Sequence, residues 1–360
     1  MLYLVRKVYI LQQETVKKIL IIRLSALGDT IHTLPMANAI RKTFSEAQLD
    51  WIVEDKAEKF VVNNPLINNV YVLERKKRKN FVVLKEFLSI IRKIQKEKYD
   101  IVIDTQQLLK SAIIMGLSGG KKKLSLDGGR EFSGIFANEI IKTGRKIFDI
   151  NYHVVKRNLD IAKYLGAKTD NIEFIIPDFS KEYSEHIKNI IKGLDKTKKT
   201  IVISPATTWK NKHWTIQGWK DIINEFKEKY NIIITASEKE IELVNTILDG
   251  IKGDNITNLS GMTTLSDLVY IFSNSDIVIS PDSGSAHIAW AVNHPYIITL
   301  FFATSANRTA PFGNKYYSLS AESSCSPCMK KHCKLKYNKN KCINEIKSQD
   351  VINVVKNVLQ

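Results

Sequence analysis

Three short stretches of this chain carry side chains that could act together. Asp29 closes the run Ser25-Ala26-Leu27-Gly28-Asp29. A carboxylate there can take a proton from a hydroxyl or do no more than cap a helix. The run at 207–214, Thr-Thr-Trp-Lys-Asn-Lys-His-Trp, offers hydroxyls from Thr207 and Thr208 and positive charge from Lys210 and Lys212. Its indoles, Trp209 and Trp214, either stack on a base or pack in a core. In the run at 280–287, Ser-Pro-Asp-Ser-Gly-Ser-Ala-His, the residues Ser283, Gly284 and Ser285 fall where a helix N-terminus would present backbone N–H groups to an anion. Gly284 allows close approach of the backbone. Asp282 supplies an acceptor for a sugar or ribose hydroxyl, and His287 a donor for phosphate. The plain alternative is an ordinary capped helix with a satisfied histidine. A lysine aimed at a diphosphate stabilises charge on a leaving group, and two such loops with complementary phosphate chemistry favour a phosphate-bearing ligand.

These stretches need elements to hold them. Residues 18–24 form an apolar run of strand length, and 25–28 read as a tight turn. Ile31, Leu34, Ala37 and Ile40 then return at helical spacing, with Asp29 and Thr30 at the start of that helix. Further strands are expected at 49–54, 70–73 and 99–104, and an amphipathic helix at 81–98. A helix follows 105–111, a glycine- and lysine-rich loop covers 116–134, and a helix spans 152–164 with His153 and Arg157 on one face. A short strand at 172–181 leads into a linker. A second series then sets strands at 200–204, 231–236, 256–259, 276–280 and 296–301 against helices at 216–230, 239–248, 264–273, 285–292 and 350–359. Such alternation predicts an α/β protein with parallel sheets. Two series imply two doubly wound, Rossmann-like domains facing a cleft, with ligands at the carboxyl ends of the strands. The boundaries expected are an extension at 1–17, domains at 18–178 and 179–345, and a closing helix at 346–360. No G-x-G-x-x-G and no Walker A sequence occurs, which argues against a nicotinamide dehydrogenase or a P-loop NTPase.

The net charge is +17, from 54 Lys and Arg against 37 Asp and Glu, and favours an anionic partner. No zinc-finger, RRM or helix-turn-helix signature supports nucleic acid. Basic stretches occur at 75–79, with Arg75, Arg78 and Lys79, and at 121–123, which reads as a solvated loop. No apolar run approaches the ~18 residues that span a bilayer, and residues 1–17 lack the pattern of a signal peptide. All four cysteines fall late, at Cys325, Cys328, Cys333 and Cys342, which fits a reducing compartment.

The stretches RLSALGDTIHTLP, LDWIVE, DTQQLLKSA, ATTWKNKHW, PDSGSAHIAWA and PFG, in this order from about residue 18 onward, resemble the lipopolysaccharide heptosyltransferases of glycosyltransferase family 9. GDTIHTLP, LDWIVE and the KHW segment look most like the heptosyltransferase I branch. The resemblance implies a GT-B fold and an inverting transfer of L-glycero-D-manno-heptose from ADP-heptose to a Kdo sugar of Kdo2-lipid A, without a catalytic metal. It also implies a cytoplasmic enzyme peripheral to the inner membrane. By the same resemblance Asp29 is the general base and Lys212 holds the donor diphosphate. Thr207, Thr208, Glu240, Asp282, Ser283, Gly284, Ser285, His287 and Thr304 lie on the donor side, with Glu238 a rival to Glu240. Ser25, Gly28, His32, Arg75, Arg78, Lys79, Gln106, Lys110, Arg130, His153 and Arg157 lie on the acceptor side.

The chain also departs from the family pattern. Residues 302–306, Phe-Ala-Thr-Ser-Ala, replace a common G-P-T-D-P, and Gln107 stands where glycine is common. The C-x2-C-x4-C-x8-C cysteine run resembles a feature of heptosyltransferase II-like branches, and its four thiols are either a structural zinc site or simply reduced. The alternatives to first-heptose transfer are another family 9 transferase with a later acceptor or different nucleotide sugar, an NDP-sugar epimerase, and a glycolipid-binding module.

Overall fold

Four consecutive isoleucines and leucines with no solvent exposure, Ile19 to Ile22, lie at the centre of the first sheet. A strand apolar on both faces belongs inside a parallel sheet covered by helices. The computed structural model describes residues 16–74, 80–293, 296–337 and 339–359, with the backbone alone at 80–83. Most of the 1–17 extension, and the basic residues Arg75, Arg78 and Lys79, lie outside the described residues. The chain divides into two compact units, Met1–Asp178 and Phe179–Gln360.

The first unit runs β1 (Lys18–Ile22), α1 (Leu27–Ile31), α2 (Leu34–Thr43), β2 (Gln48–Glu54), β3 (Asn69–Leu73), α3 (Asn80–Glu97), β4 (Ile101–Asp104), α4 (Leu109–Leu117), β5 (Lys122–Leu126), β6 (Glu139–Ile141) and α5 (Val154–Tyr164). Its six strands are parallel in the order β3-β2-β1-β4-β5-β6. The chain therefore leaves β1 in one direction and resumes at β4 on its other side, so the carboxyl ends of β1 and β4 flank the topological switch point.

The second unit runs α6 (Glu185–Gly193), β7 (Thr200–Ile203), α7 (Ile216–Phe226), β8 (Asn231–Ile234), α8 (Ile241–Leu248), β9 (Ile256–Asn258), α9 (Leu265–Ser273), β10 (Ile277–Pro281), α10 (Gly284–Ala291), β11 (Tyr296–Phe301), α11 (Ala306–Thr309), β12 (Tyr316–Ser320) and α12 (Ser348–Leu359). The order β12-β11-β10-β7-β8-β9 puts its switch point between β7 and β10. Its core joins the sheet to α7 and to α12, whose Val351 and Val355 are fully buried.

Three expectations give way to the fold. The basic stretch at 121–123 is not a solvated loop, because β5 begins at Lys122 and pairs with β4. Leu124 and Leu126 turn into the core and override the loop-like composition. The edge strand β12 was not expected, since its residues are mostly half-buried or exposed and present no apolar run. Residues 172–177 form no strand; this extended segment is instead held by Asn64, whose Nδ2 donates to the Ile175 carbonyl at 2.8 Å.

Candidate functional site

In the first unit the loop after β1 is organised by two side chains from opposite ends. Arg23 is buried where the strand ends, and its guanidinium donates to the Thr105 carbonyl at 2.6 Å. It also pairs with the Asp29 carboxylate at 2.8 Å. Gln106, from the end of β4, accepts the backbone N–H groups of Leu24 and Ser25, each at 3.2 Å. The Asp29 carboxylate receives the Ala26 N–H at 3.4 Å, so Ala26 is the N-cap of α1 and Asp29 sits inside its first turn. The expectation that Asp29 begins the helix is off by one turn position. Its carboxylate folds back on the residue preceding the helix, because α1 starts at Leu27. Both contacts fall on Oδ2, and the side chain keeps 39% of its exposure.

The other first-unit residues sort into scaffold and surface. Asp104 is fully buried; burial pushes its carboxyl up to about 6, against the pull of N–H groups from Gln107 and Gln106, the Ser111 hydroxyl and Arg23. Gln107 has φ +55°, the region that favours glycine, which explains why glycine suits this place. Its side chain is put to use, donating to the Leu126 carbonyl at 2.5 Å and accepting from Arg157 at 2.8 Å. Arg157 is buried and also donates to the carbonyls of Asp127 and Arg145. It therefore clamps loops within the unit. His153 is the N-cap of α5, its Nδ1 accepting the Val155 N–H at 3.2 Å. His32 is buried edge-on to His153, with ring centroids 6.1 Å apart. Lys110 pairs with Glu54, and Arg130 is exposed above the Phe148 ring at 5.2 Å. Gly28 lies in α1 beside Asp29.

In the second unit the switch point is built around one carboxylate. Asp282 is buried just past β10, and the Lys212 ammonium, from the loop after β7, reaches its Oδ2 at 3.1 Å and donates to its carbonyl. His287 Nε2 lies 3.5 Å from Oδ1, and the Thr309 hydroxyl donates to Oδ1 at 3.3 Å. Burial alone would raise this carboxyl; the charges of Lys212 and His287, with the hydroxyl of Thr304 alongside, outweigh it and hold it below the usual range. Two of the three N–H donors of Lys212 are thus engaged, and the third is open to another acceptor. Ser283 precedes α10 but does not cap it with its side chain; its hydroxyl is within 2.8 Å of that of Ser280. The first-turn amides of α10, at Gly284 and Ser285, are left for an anion.

A family model described as glycosyltransferase family 9 (heptosyltransferase) matches residues 87–339. The chain belongs to glycosyltransferase family 9. It is similar to lipopolysaccharide heptosyltransferase 1 of Campylobacter coli, 31% identical over 307 residues, which cover 81% of this chain and 86% of that one. It is also similar to lipooligosaccharide heptosyltransferase 2 of Campylobacter jejuni serotype O:6, 28% identical over 339 residues, 92% of this chain and 95% of that one. Among solved structures it resembles E. coli heptosyltransferase WaaC with ADP at a TM-score of 0.72 and 21% identity, across 95% of this chain and 99% of that one. The fold is that of the GT-B heptosyltransferases, and the epimerase and binding-module alternatives give way to a glycosyltransferase.

The second unit gathers more of the expected residues than the first. Thr207 donates to the Asp282 carbonyl at 3.4 Å, while Thr208 is exposed on the same loop. Thr304 is buried past β11. At the end of β8, Glu240 is half-buried and accepts the Ser237 hydroxyl, whereas its rival Glu238 is exposed. Trp214 belongs to the core, with Trp219 edge-on at 5.1 Å and its N–H on the Ile346 carbonyl. Trp209 lies under the Lys212 ammonium at 5.2 Å. The four cysteines are free thiols, and no group of three or more His, Cys, Asp or Glu among the described residues is arranged to hold a metal. Burial first, then the other three thiols, push Cys342 up, while the N–H groups of Asn340 and Leu335 hold Cys333 down. Sequence reasoning missed Arg23, Asp104 and Thr309. A charged residue closing the apolar run Ile-Leu-Ile-Ile was the available signal for Arg23, since a buried guanidinium needs a carboxylate within reach.

Proposed function

We propose that this family 9 transferase moves L-glycero-D-manno-heptose from ADP-heptose to a Kdo residue of the lipopolysaccharide inner core, with inversion at the anomeric carbon. The observation that carries this reading is the Lys212 and Asp282 pair at the switch point of the second sheet, beside a helix N-terminus that no side chain caps. The open N–H of Lys212 and the first amides of α10 would receive the diphosphate, and Asp282 would hold Lys212 in place. As the acceptor oxygen attacks the anomeric carbon, the bond from that carbon to the diphosphate oxygen breaks and ADP leaves as an anion. Positive charge and N–H dipoles fixed in advance stabilise that leaving group. Asp29 takes the acceptor proton on Oδ1 while Arg23 and the Ala26 N–H hold Oδ2. The acceptor is a glycolipid, so the enzyme works peripherally at the cytoplasmic face of the inner membrane. The relatives named for first and for second heptose transfer support a second reading, in which the acceptor already carries one heptose. Incubating the purified chain with ADP-heptose and either Kdo2-lipid A or its monoheptosylated form, with products read by mass spectrometry, separates the two. Product from Kdo2-lipid A alone is the expected result, and product only from the heptosylated form overturns the first reading.

A further inference from the structure

The first unit exposes apolar side chains in one neighbourhood. After β5 the chain presents Phe132 at 87% exposure and Ile135 at 68%, followed by Phe136 and Ile140. Ile113 and Leu117, one turn apart on α4, are exposed as well. The two sets are contiguous, because the Phe136 ring lies on Gly116 of α4, where a Cβ would come within 2.8 Å of it. Ile140 closes over Gly134 in the same way, its Cδ1 3.3 Å from the place of a Cβ there. Contiguous exposed apolar surface of this kind marks an interaction site.

Charge indicates what covers it. The stretch 127–149 carries Arg130, Lys142, Arg145 and Lys146, all exposed, against Asp127, Glu131, Glu139 and Asp149, of which Glu131 alone is exposed and Asp149 pairs with Arg145 at 3.2 Å. The acids are partly spent within the unit. Glu131 accepts the Leu109 N–H at 3.3 Å, and Glu139 accepts the Tyr164 hydroxyl. Arg130 sits on the Phe148 ring, a cation carried on an apolar base. Exposed aromatic and aliphatic side chains with exposed Lys and Arg close by in the chain suit an anionic bilayer surface, where the rings enter the headgroup boundary and the cations meet phosphates. No helix among the described residues is long and apolar enough to cross a membrane. The same segment is tied to the loop after β4, where the Arg130 N–H donates to the Gln107 carbonyl at 3.3 Å.

We infer that the face formed by residues 130–148 and the outer side of α4 docks on an anionic lipid bilayer and so brings the strand-end loops of the first unit to a membrane-held acceptor. This rests on the reading of a glycolipid acceptor, and the test separates the two. The full chain is sedimented with vesicles of phosphatidylcholine alone and of phosphatidylcholine with phosphatidylglycerol, alongside the double variant Phe132→Asn/Ile135→Ser and the charge variant Lys142→Gln/Lys146→Gln. Asn suits the left-handed backbone of residue 132, whose φ is +55°, and unchanged melting checks the fold. Binding to the anionic vesicles only is expected, weakened by about tenfold or more in the apolar variant, and weakened in the charge variant in a way that salt mimics. Transfer to a water-soluble, deacylated acceptor is expected to stay at the wild-type rate in both variants. Wild-type-like vesicle binding by the folded apolar variant overturns the inference. So does a change in oligomeric state on Phe132→Asn/Ile135→Ser, which would assign the face to a second copy of the chain. Failure of the wild type on the soluble acceptor, with vesicle binding intact, counts against the acceptor reading alone.

Discussion

Replacing Lys212 with Met leaves the Asp282 carboxylate buried facing His287 and the hydroxyls of Thr309 and Thr304. In the native protein Lys212 is 12% exposed and Asp282 6% by side chain, so solvent screens this pair little. Removing one partner of a buried pair costs about 3–5 kcal/mol; with three polar neighbours retained, the lower end, about 3 kcal/mol, applies. For a unit of this size that corresponds to a fall of roughly 6–12 °C in melting temperature. The pH dependence carries the sharper test. In the wild type the Asp282 carboxyl is held below its unfolded value. Its contribution is therefore present above the unfolded pKa and lost as pH falls through the folded one. In Lys212→Met burial is left to dominate, the carboxyl rises, and a neutral acid needs no counter-ion. The deficit against wild type should be largest near pH 8 and shrink as the pH falls towards 5. Adding Asp282→Asn should recover stability to within about 1 kcal/mol of wild type, since both charges are then gone. Loss of one charge-assisted hydrogen bond to the diphosphate should weaken ADP by roughly ten- to a hundredfold. Urea titrations at the two pH values and calorimetry with ADP read these quantities. A stability deficit equal at both pH values would refute the electrostatic account of the pair, and ADP affinity unchanged in a folded variant would remove Lys212 from the diphosphate site.

Burial holds the Asp104 carboxyl at about 6, so the folded state favours the proton and stability is lost as pH rises from about 4 to 6. Asp104→Asn should flatten the stability profile across that window, measured by urea midpoints, and an unaltered slope would count against it. Arg23→Met should lower kcat about ten- to a hundredfold by freeing the Asp29 carboxylate from its orientation, with ADP affinity unchanged by calorimetry. A parallel loss of ADP binding would point to general unfolding instead. Asp29→Asn keeps an oxygen acceptor for the Ala26 N–H but removes the counter-charge of the buried Arg23, so melting should fall while the variant stays folded, and transfer should fall by about two to four orders of magnitude; substantial residual transfer would leave Asp29 a structural cap. Under iodoacetamide near neutral pH, Cys333 should be alkylated first and Cys342 last, as their opposite displacements and the burial of Cys342 imply. Peptide mass spectrometry over time reads the order, and early labelling of Cys342 would refute it.

What could be read from the sequence depended on whether a residue's role was local. Strand–helix alternation is local, and the central strands of both sheets fall where apolar runs placed them. The residues past β7 and β10 were also visible, because Lys212 and Asp282 sit in short polar runs between apolar ones. Partners distant in sequence were not visible. Gln106 supports Leu24 and Ser25 from a different strand, and Arg157 closes on Gln107 fifty positions away. As a result a buried clamp such as Arg157 reads as a cation awaiting an anionic ligand. The strand β5 and the edge strand β12 were obscured for a related reason. Pairing with neighbouring strands supports them, and their own composition carries little of that information.

The Asp29 loop shows why a cap and a base need not be rival assignments. A general base must be held within reach of one proton, and a carboxylate on a free loop would lose most of its advantage to motion. Asp29 lies in the first turn of α1 with Oδ2 fixed from two directions, by the Ala26 N–H and by a guanidinium that is itself anchored on the Thr105 carbonyl. That anchor depends on β4 lying beside β1, so the precision of the carboxylate derives from the sheet order. Under the proposed role the helix turn supplies orientation, Arg23 supplies rigidity, and Oδ1 is the atom that would take the acceptor proton. On this division of labour, substitutions at Arg23 and Asp29 should both cost some stability and both reduce transfer by the folded protein, whereas a capping role alone would leave the folded variants transferring at the wild-type rate.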